Sequence, residues 1–352
     1  MFAMAWSDDR QPDVLNLARD RHGEVPLHLH RQAPAVAASE LKAFTALGRR
    51  CGPAVVDVPP GRWQQITADG WVRDEEYASV SIMPSPARDL EEASALLRTA
   101  LRTAAARRAI SDVPVCTLLS GGIDSAAIAL ELRAHYPDLV CYTAVLDQRS
   151  RDLRCAREVA DHLGVKLVEV PVEPPTGEDL AATVRAVELP FKAQVEIAWP
   201  CLKLAEVMRR DGFRVTYSGE GSDELWASYG FAYHALKTRG WHEYRRDLIA
   251  DQARKNFPRV NKAFLAHGVE ARLPFLDPHL VALALSLPRD QVADSTGPKA
   301  VLTRAYAGEL PASVLTRPKL AFQDGMGLKR AIAATLADPG RFYRAEYARA
   351  YG

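Results

Sequence analysis

Between residues 113 and 217 the chain alternates short apolar, β-branched runs with segments of helical periodicity, and this alternation restricts the fold more than any other feature. Strands are expected over 113–119, 140–146, 166–172 and 214–217, with helices over 90–108, 125–135, 153–163, 178–187 and 197–210. Strands alternating with helices of such length close as right-handed βαβ units, so the product is an α/β fold with a parallel sheet covered on both faces. Ligands of such sheets bind at the carboxyl ends of the strands. Two glycine-rich stretches fall there: SGGIDS (120–125) after the first strand and SGEGSDE (218–224) after the last. From residue 225 onward the pattern is mostly helical.

The first 85 residues read differently. Short β-runs at 15–17, 26–30, 35–37, 55–58 and 63–66 are separated by turn residues, which predicts a small sheet. Met83-Pro84-Ser85-Pro86 reads as a linker, because two prolines so close block helix and central strand alike. The expected division is therefore 1–85 and 86–352. With 45 basic and 44 acidic residues the net charge is +1, which gives no reason to expect a nucleic-acid or membrane partner. No apolar run approaches the ~18 residues that cross a bilayer. The N-terminus lacks a basic segment followed by an apolar one, so a cytoplasmic location is expected. The five cysteines (Cys51, Cys116, Cys141, Cys155, Cys201) show neither a CxxC pair nor zinc spacing. Cys116 and Cys141 sit inside strand-like runs and are expected as reduced, buried thiols.

The chemistry concentrates in a few stretches. In SGGIDS, Gly121 and Gly122 permit positive φ and close backbone approach, and the helix that follows supplies N–H groups for an anion. Ser120 and Ser125 add hydroxyls. The lysine of the common GxxxxGK[ST] loop is missing, and Asp124 is odd beside an anion unless a divalent cation bridges the two. An ordinary strand–helix turn with a capping Ser or Asp is the plainer alternative. SGEGSDE sets three carboxylates at a glycine-loosened turn and lacks the third glycine of a dinucleotide fingerprint. Capping accounts for Ser222 and one acid, but not for Glu220 between glycines. Asp124 and Asp223 could share a magnesium ion across adjacent strand ends. Lys299, after a Gly-Pro turn, and Lys319, in LTRPK, are each alone unremarkable surface lysines. Glu270 and Arg272, near a proline break, suit a structural ion pair, and His267 beside Gly268 suits a helix end.

Taken in order, SGGIDS, SGEGSDEL, NKAFLAHGVEARLPFLD and the run from GPK to LTRPK resemble the synthetase domain of glutamine-hydrolysing asparagine synthetases, over about residues 90–330. MFAMAWSDD, LARDRHGEVPLHLHR, ASELKAF and VPPGRW are similar to the last third of that family's glutaminase domain. The family's glutaminase begins with a nucleophilic cysteine directly after the initiator methionine. No cysteine stands there in this chain, and Cys51 is not its counterpart.

The resemblance implies a parallel-sheet ATP-pyrophosphatase fold (adenine nucleotide alpha hydrolase-like) with a helical C-terminal part, preceded by a partial β-rich remnant of an Ntn-type glutaminase domain. It implies a ligase that uses ATP and Mg2+ to adenylate a carboxylate, releases pyrophosphate, and passes the acyl group to ammonia or a small amine. Ser120, Gly121, Gly122, Asp124, Ser125, Gly219 and Lys299 would hold ATP and pyrophosphate, and Asp124 with Asp223 the magnesium. Glu220 would act as base, Glu270 would assist, and Lys319 would stabilise charge at the acyl centre.

Relatives that close β-lactam rings carry tyrosine where this chain has Glu220, which favours intermolecular transfer over the alternative of an intramolecular or peptide cyclase. Residues 188–199 depart from the Thr/Arg/Ser-rich stretch associated with aspartate, so a specialised acid, as in antibiotic biosynthesis, is an equal expectation. A non-catalytic subunit of a two-chain amidotransferase is the alternative from another class. A nucleic-acid thiolating enzyme shares the SGGxDS loop, but would need a reactive-cysteine arrangement or a basic RNA-binding module. A half-sandwich at the N-terminus would expose edges and an apolar face, so a separate glutaminase half-domain chain, self-association, or a longer reading frame that begins upstream of Met1 is expected to cover it.

Overall fold

In the computed structural model, residues 1–230, 232–295, 297–317 and 325–352 are described, with the backbone alone at Tyr233. Strands β1 (Ala3–Asp8), β2 (Gln11–Arg19), β3 (His28–His30), β4 (Val36–Ala38), β5 (Val55–Asp57), β6 (Arg62–Thr67) and β7 (Gly70–Glu76) form two antiparallel sheets, ordered β1-β2-β6-β7 and β4-β3-β5. Helix α1 (Leu41–Ala46) lies between β4 and β5. The alternation of apolar residues puts Leu17, Leu29 and Ile66 on inner faces, where they pack with Leu27 and Val58. The small sheet expected from the first 85 residues is thus two sheets. The outer strands β1 and β7 escape a reading based on alternation because they are almost wholly exposed.

After irregular backbone at 77–89, α2 (Leu90–Arg108) leads into β8 (Val115–Leu118), α3 (Ile123–Arg133), β9 (Val140–Val145), α4 (Arg151–Leu163), β10 (Lys166–Pro171), α5 (Gly177–Val187), α6 (Lys192–Arg210) and β11 (Val215–Tyr217). These are the elements expected from the sequence, with α6 beginning earlier, at Lys192, and running on through Pro200. A further strand, β12 (Glu270–Arg272), pairs with β11. Its three residues are too few to carry a periodicity, and the proline after them reads as a helix break.

The sheet order is β10-β9-β8-β11-β12, and every pair is parallel. The chain starts in the middle at β8, builds outward to β10, then returns to lay β11 on the other side. That reversal opens a crevice above the carboxyl ends of β8 and β11, where open α/β sheets bind ligands. Both glycine-rich stretches end there.

Among the described residues the remaining α-helices are α7 (Ser222–Trp226), α8 (Ala232–Ala235), α9 (Trp241–Gln252), α10 (Asn256–Leu265), α11 (Pro278–Ser286), α12 (Ala300–Ala305), α13 (Ala312–Leu315), α14 (Leu328–Thr335) and α15 (Pro339–Tyr351). α10 packs on α6, α5 and β12, and every residue from Asn256 to Phe264 is buried. Four of these, Asn256, Arg259, Asn261 and Lys262, are polar, and burial obliges such groups to find partners.

The N-terminal sheets are joined to the rest by buried ion pairs. Arg108 grips Glu24 through both guanidinium nitrogens, at 2.7 and 2.8 Å. Arg19 donates to the Ala253 carbonyl at 2.9 Å. Glu188, wholly buried at the end of α5, accepts from the Leu41 and Lys42 backbone N–H groups at 2.7 and 2.8 Å and from Lys262 Nζ at 2.5 Å. All five cysteines are buried and free, as expected for Cys116 and Cys141. Among the described residues no helix is long and apolar enough to cross a membrane.

Candidate active site

SGGIDS turns directly from β8 into α3. Gly121 has φ of +75°, and a Cβ there would stand 2.3 Å from the Asp152 carbonyl oxygen, so no other residue fits the turn against α4. Ser125 Oγ accepts from the Ser120 N–H and donates to the Gly122 carbonyl, both at 3.1 Å, closing the loop on itself. SGEGSDE makes the matching turn from β11 into α7. A Cβ on Gly219 would meet Asp124 Cβ at 2.9 Å, so the two loops touch backbone to backbone at the switch point.

That contact brings Asp124 and Asp223 to one ammonium. Lys299 Nζ lies 2.6 Å from both oxygens of Asp124, 2.7 Å from Asp223 Oδ1 and 3.4 Å from Ser222 Oγ. Ser222 Oγ donates to Asp124 Oδ1 at 2.7 Å and accepts from Trp226 Nε1 at 3.0 Å. Ser228 Oγ donates to Asp223 Oδ1 at 2.6 Å. Burial alone would lower the Lys299 pKa, but the two carboxylates outweigh it and hold the ammonium above the ordinary lysine range. Arg317 reaches the same turn, donating from Nη1 to the Gly121 carbonyl at 3.0 Å and pairing with Asp152.

Along the same crevice a second polar group forms. Glu220 Oε2 meets Arg259 Nη2 at 2.7 Å. Arg259 is 2% exposed, and its Nη1 donates to Gln194 Oε1 at 2.9 Å and Asn256 Oδ1 at 3.2 Å. Asn256 Nδ2 in turn donates to Glu224 Oε1 at 2.9 Å, which also accepts from the Tyr229 hydroxyl at 2.6 Å. Glu224 is fully buried, and burial together with the charges of Glu220 and Asp223 pushes its carboxyl up to about 7.

Both groups face one cavity of about 980 Å³, with apolar walls from α6, β9 and α10 including Ile197, Leu204, Tyr142 and Phe264. That volume is ample for a nucleotide and a second small molecule, since ligand sites run to roughly 300–1,000 Å³. Of the expected site residues, Ser120, Gly122, Asp124, Ser125, Gly219, Glu220, Asp223 and Lys299 line it. Gly121 shapes the turn behind it. Lys319 lies outside the described residues.

Glu270 is not brought to the cavity. β12 runs parallel to β11 with Glu270 opposite Val215, the first residue of β11, whereas the site follows Tyr217, the last. The Glu270 carboxylate instead holds Arg272 Nε at 2.7 Å, and Arg272 donates to the Arg108 and Ile110 carbonyls beneath the amino end of the sheet. This is the structural ion pair that the residues by themselves suggested.

Among the described residues no group of three or more His, Cys, Asp or Glu gathers as a metal site. Magnesium bound through phosphates needs only one or two protein carboxylates. Asp124 and Asp223, two carboxylates converging on a single ammonium beside the SGGIDS turn, fit that limited requirement.

Gln194, Glu224, Tyr229, Asn256, Arg259 and Arg317 were not singled out as site residues from the sequence. One signal was available for α10: polar residues at 256, 259 and 262 recur every three positions among Phe257, Val260, Ala263 and Phe264. A helix buried all round does not hold such residues on its surface.

Residues 96–261 and 253–348 match the model of the asparagine synthase family. Asparagine synthetase B (glutamine-hydrolysing) of Escherichia coli is 29% identical over 351 residues, covering 93% of this chain and 61% of that protein. Asparagine synthetase 2 (glutamine-hydrolysing) of Oryza sativa subsp. japonica is 30% identical over 349 residues, covering 93% and 57%. The chain therefore spans about three fifths of the length of these curated relatives. Among solved structures, an NMN synthetase from Francisella tularensis aligns with 76% of this chain and 97% of its own, at 13% identity and a TM-score of 0.38, too low to bear on function.

Proposed function

We propose that this chain, which belongs to the asparagine synthase family, is an ATP-dependent ligase that adenylates a carboxylic acid and transfers the acyl group to ammonia or a small amine. The observation that carries this reading is the meeting of Asp124, Asp223 and Lys299 at the junction of two glycine turns, with Glu220 on the same cavity.

In the first step a carboxylate oxygen attacks the α-phosphorus of ATP, the bond to the bridging oxygen breaks, and pyrophosphate leaves. The SGGIDS turn supplies the receptor: backbone N–H groups at the start of α3 and the hydroxyls of Ser120 and Ser125. Lys299 fixes Asp124 and Asp223 against each other, and its charge would face the departing pyrophosphate. A phosphate-bound Mg2+ on those two carboxylates would offset the charge of the leaving group. Arg317, anchored on the Gly121 carbonyl, is a further cation on this side.

In the second step the nitrogen attacks the acyl carbon, the C–O bond to AMP breaks, and the nitrogen sheds a proton. We assign that proton to Glu220, which lines the cavity, a contribution of about 10² to 10⁴-fold in rate. By its LTRPK motif Lys319 would stabilise the developing oxyanion. Glu270 takes no part beyond its pair with Arg272.

Residues 188–199 support a specialised acid as substrate: Glu188 is committed to Leu41, Lys42 and Lys262, and Gln194 to Arg259. Each of the five cysteines is buried, so none of them serves as a glutaminase nucleophile. Nitrogen would arrive as free ammonia, as an amine, or from a glutaminase half-domain on another chain seated on the N-terminal sheets, whose outer strands show Met4, Trp6, Trp71 and Val72 to solvent.

The test is AMP and pyrophosphate release across a panel of acids, with ammonium and amines as acceptors. Glu220→Gln is expected to lower amide formation 10² to 10⁴-fold while ATP–pyrophosphate exchange survives. Equal loss of both half-reactions would remove Glu220 from its role.

A further inference from the structure

We infer that Arg259 is the positioning residue of the amide-forming step, holding Glu220 at the angle from which it takes the nitrogen's proton. The inference rests on the role proposed for Glu220.

Arg259 is a costly residue at its position. It is 2% exposed on a helix whose every neighbour is buried, and removing an ion from water costs several kcal/mol even when it is paired. Burial would lower its pKa, and the Glu220 charge is what reverses the sign and keeps it firmly cationic. An apolar side chain of like volume would fill this buried position at less cost.

The way the guanidinium is held points to orientation. Nη1 is fixed from two sides, by Gln194 Oε1 on α6 and Asn256 Oδ1 one turn back on α10. That sets the plane of the fork and leaves Nη2 a single carboxylate partner among the described residues, Glu220 at 2.7 Å. Glu220 sits on a flexible glycine turn, flanked by Gly219 and Gly221, and its side chain remains 22% exposed to the cavity. A carboxylate on such a turn has no orientation of its own. Arg259, set in two packed helices, provides one. Asn256 extends the same chain of hydrogen bonds to Glu224 and Tyr229, so the network behind Glu220 draws on α6, α7, α10 and the turn that follows α7.

Lysine cannot reproduce this, because an ammonium is a point charge without a fork that meets three acceptors in one plane. The experiment compares wild type, Arg259→Lys and Arg259→Ala with ATP, Mg2+, ammonium chloride and a fixed panel of L-aspartate, L-glutamate, β-alanine and benzoate. The acid that supports the fastest wild-type pyrophosphate exchange is used throughout. Exchange in Arg259→Lys is expected within about threefold of wild type, and amide formation about 10²-fold lower, the low end of a base's contribution. Millimolar guanidinium chloride is expected to restore amide formation in Arg259→Ala. If that variant does not fold, Arg259→Lys alone decides. Parallel loss of both half-reactions in Arg259→Lys, an unchanged amide rate, or a folded Arg259→Ala that guanidinium does not restore would each overturn the inference. If Glu220→Gln itself shows no split between half-reactions, or no acid supports exchange in wild type, the reading beneath fails first.

Discussion

Replacing Lys262 with methionine tests whether the N-terminal sheets and the cavity helices are one unit. Lys262 Nζ sits 2.5 Å from Glu188 Oε2, with side chains 2% and 0% exposed, and His28 Nε2 lies 3.4 Å away. Burial raises the Glu188 pKa, but Lys262 and the two backbone N–H groups of α1 outweigh it, so the carboxylate stays ionised. In Lys262→Met that charge keeps the Leu41 and Lys42 N–H donors and the half-exposed Lys42 ammonium at 3.8 Å, a looser and more solvated partner than Lys262. Breaking one side of a buried pair costs about 3–5 kcal/mol. Spread over 352 residues at about 2.1 cal/mol/K each, unfolding entropy is about 0.7 kcal/mol/K, so about 4 kcal/mol lowers Tm by about 5 °C. Glu188→Gln is expected to be harmful for the converse reason. The double variant, lacking both charges, should recover about 2 kcal/mol relative to the sum of the singles. Thermal melts followed by circular dichroism at pH 7 measure all three, and limited proteolysis at 77–89 reports undocking of the sheets. Two single variants within about 1 °C of wild type, or a double variant equal to the sum, would refute the reasoning.

Glu224→Gln should change how stability depends on pH. Because the folded carboxyl titrates at about 7 and an unfolded one at about 4.5, the wild-type protein loses stability as pH rises through 7, by up to about 3 kcal/mol at pH 8. The variant should therefore gain on wild type between pH 5 and 8 in thermal melts, and a constant difference would contradict the assignment. Lys299→Met leaves Asp124 and Asp223 facing each other without their shared ammonium, so ATP affinity by calorimetry should fall at least about tenfold, one lost charge-assisted contact of roughly 1.5–3 kcal/mol. An unchanged affinity would remove Lys299 from the phosphate site. No thiol should react with a disulfide reagent such as DTNB in the folded protein, since burial pushes Cys116, Cys141 and Cys201 up to about 12 and encloses Cys51 and Cys155. All five should react in guanidinium chloride, and fast labelling of any one without denaturant would contradict its burial.

The parallel sheet was legible in the sequence because its inner strands β8, β9 and β11 are largely buried and read as short apolar runs between helices. β8, β9 and β10 and helices α2 to α5 fall where that pattern puts them. β1 and β7 were not legible, because exposed outer strands carry no buried face to alternate with. The loops were legible through glycine: at Gly121 and Gly219 a Cβ would collide with backbone or Asp124, so local sequence already encodes the close approach. Lys299 was anticipated, though not its grip on Asp124, which lies 175 positions earlier along the chain.

Glu270 and Arg259 lie on the same NKAFLAHGVEARLP side of the chain's pattern, one inside it and one just before it, and the sheet separates their fates. Glu270 is acidic and near a motif; yet strand register puts it at the amino end of β12, two residues before the end that faces the crevice. Arg259 stands in the first half of α10, where the recurrence of polar residues at 256, 259 and 262 is its one signal in the sequence, and it lines the cavity. In a parallel sheet the end of the strand decides which residues meet a ligand. A motif residue at the start of a strand is therefore structural until shown otherwise, and a buried cation near the strand ends is the better candidate for function.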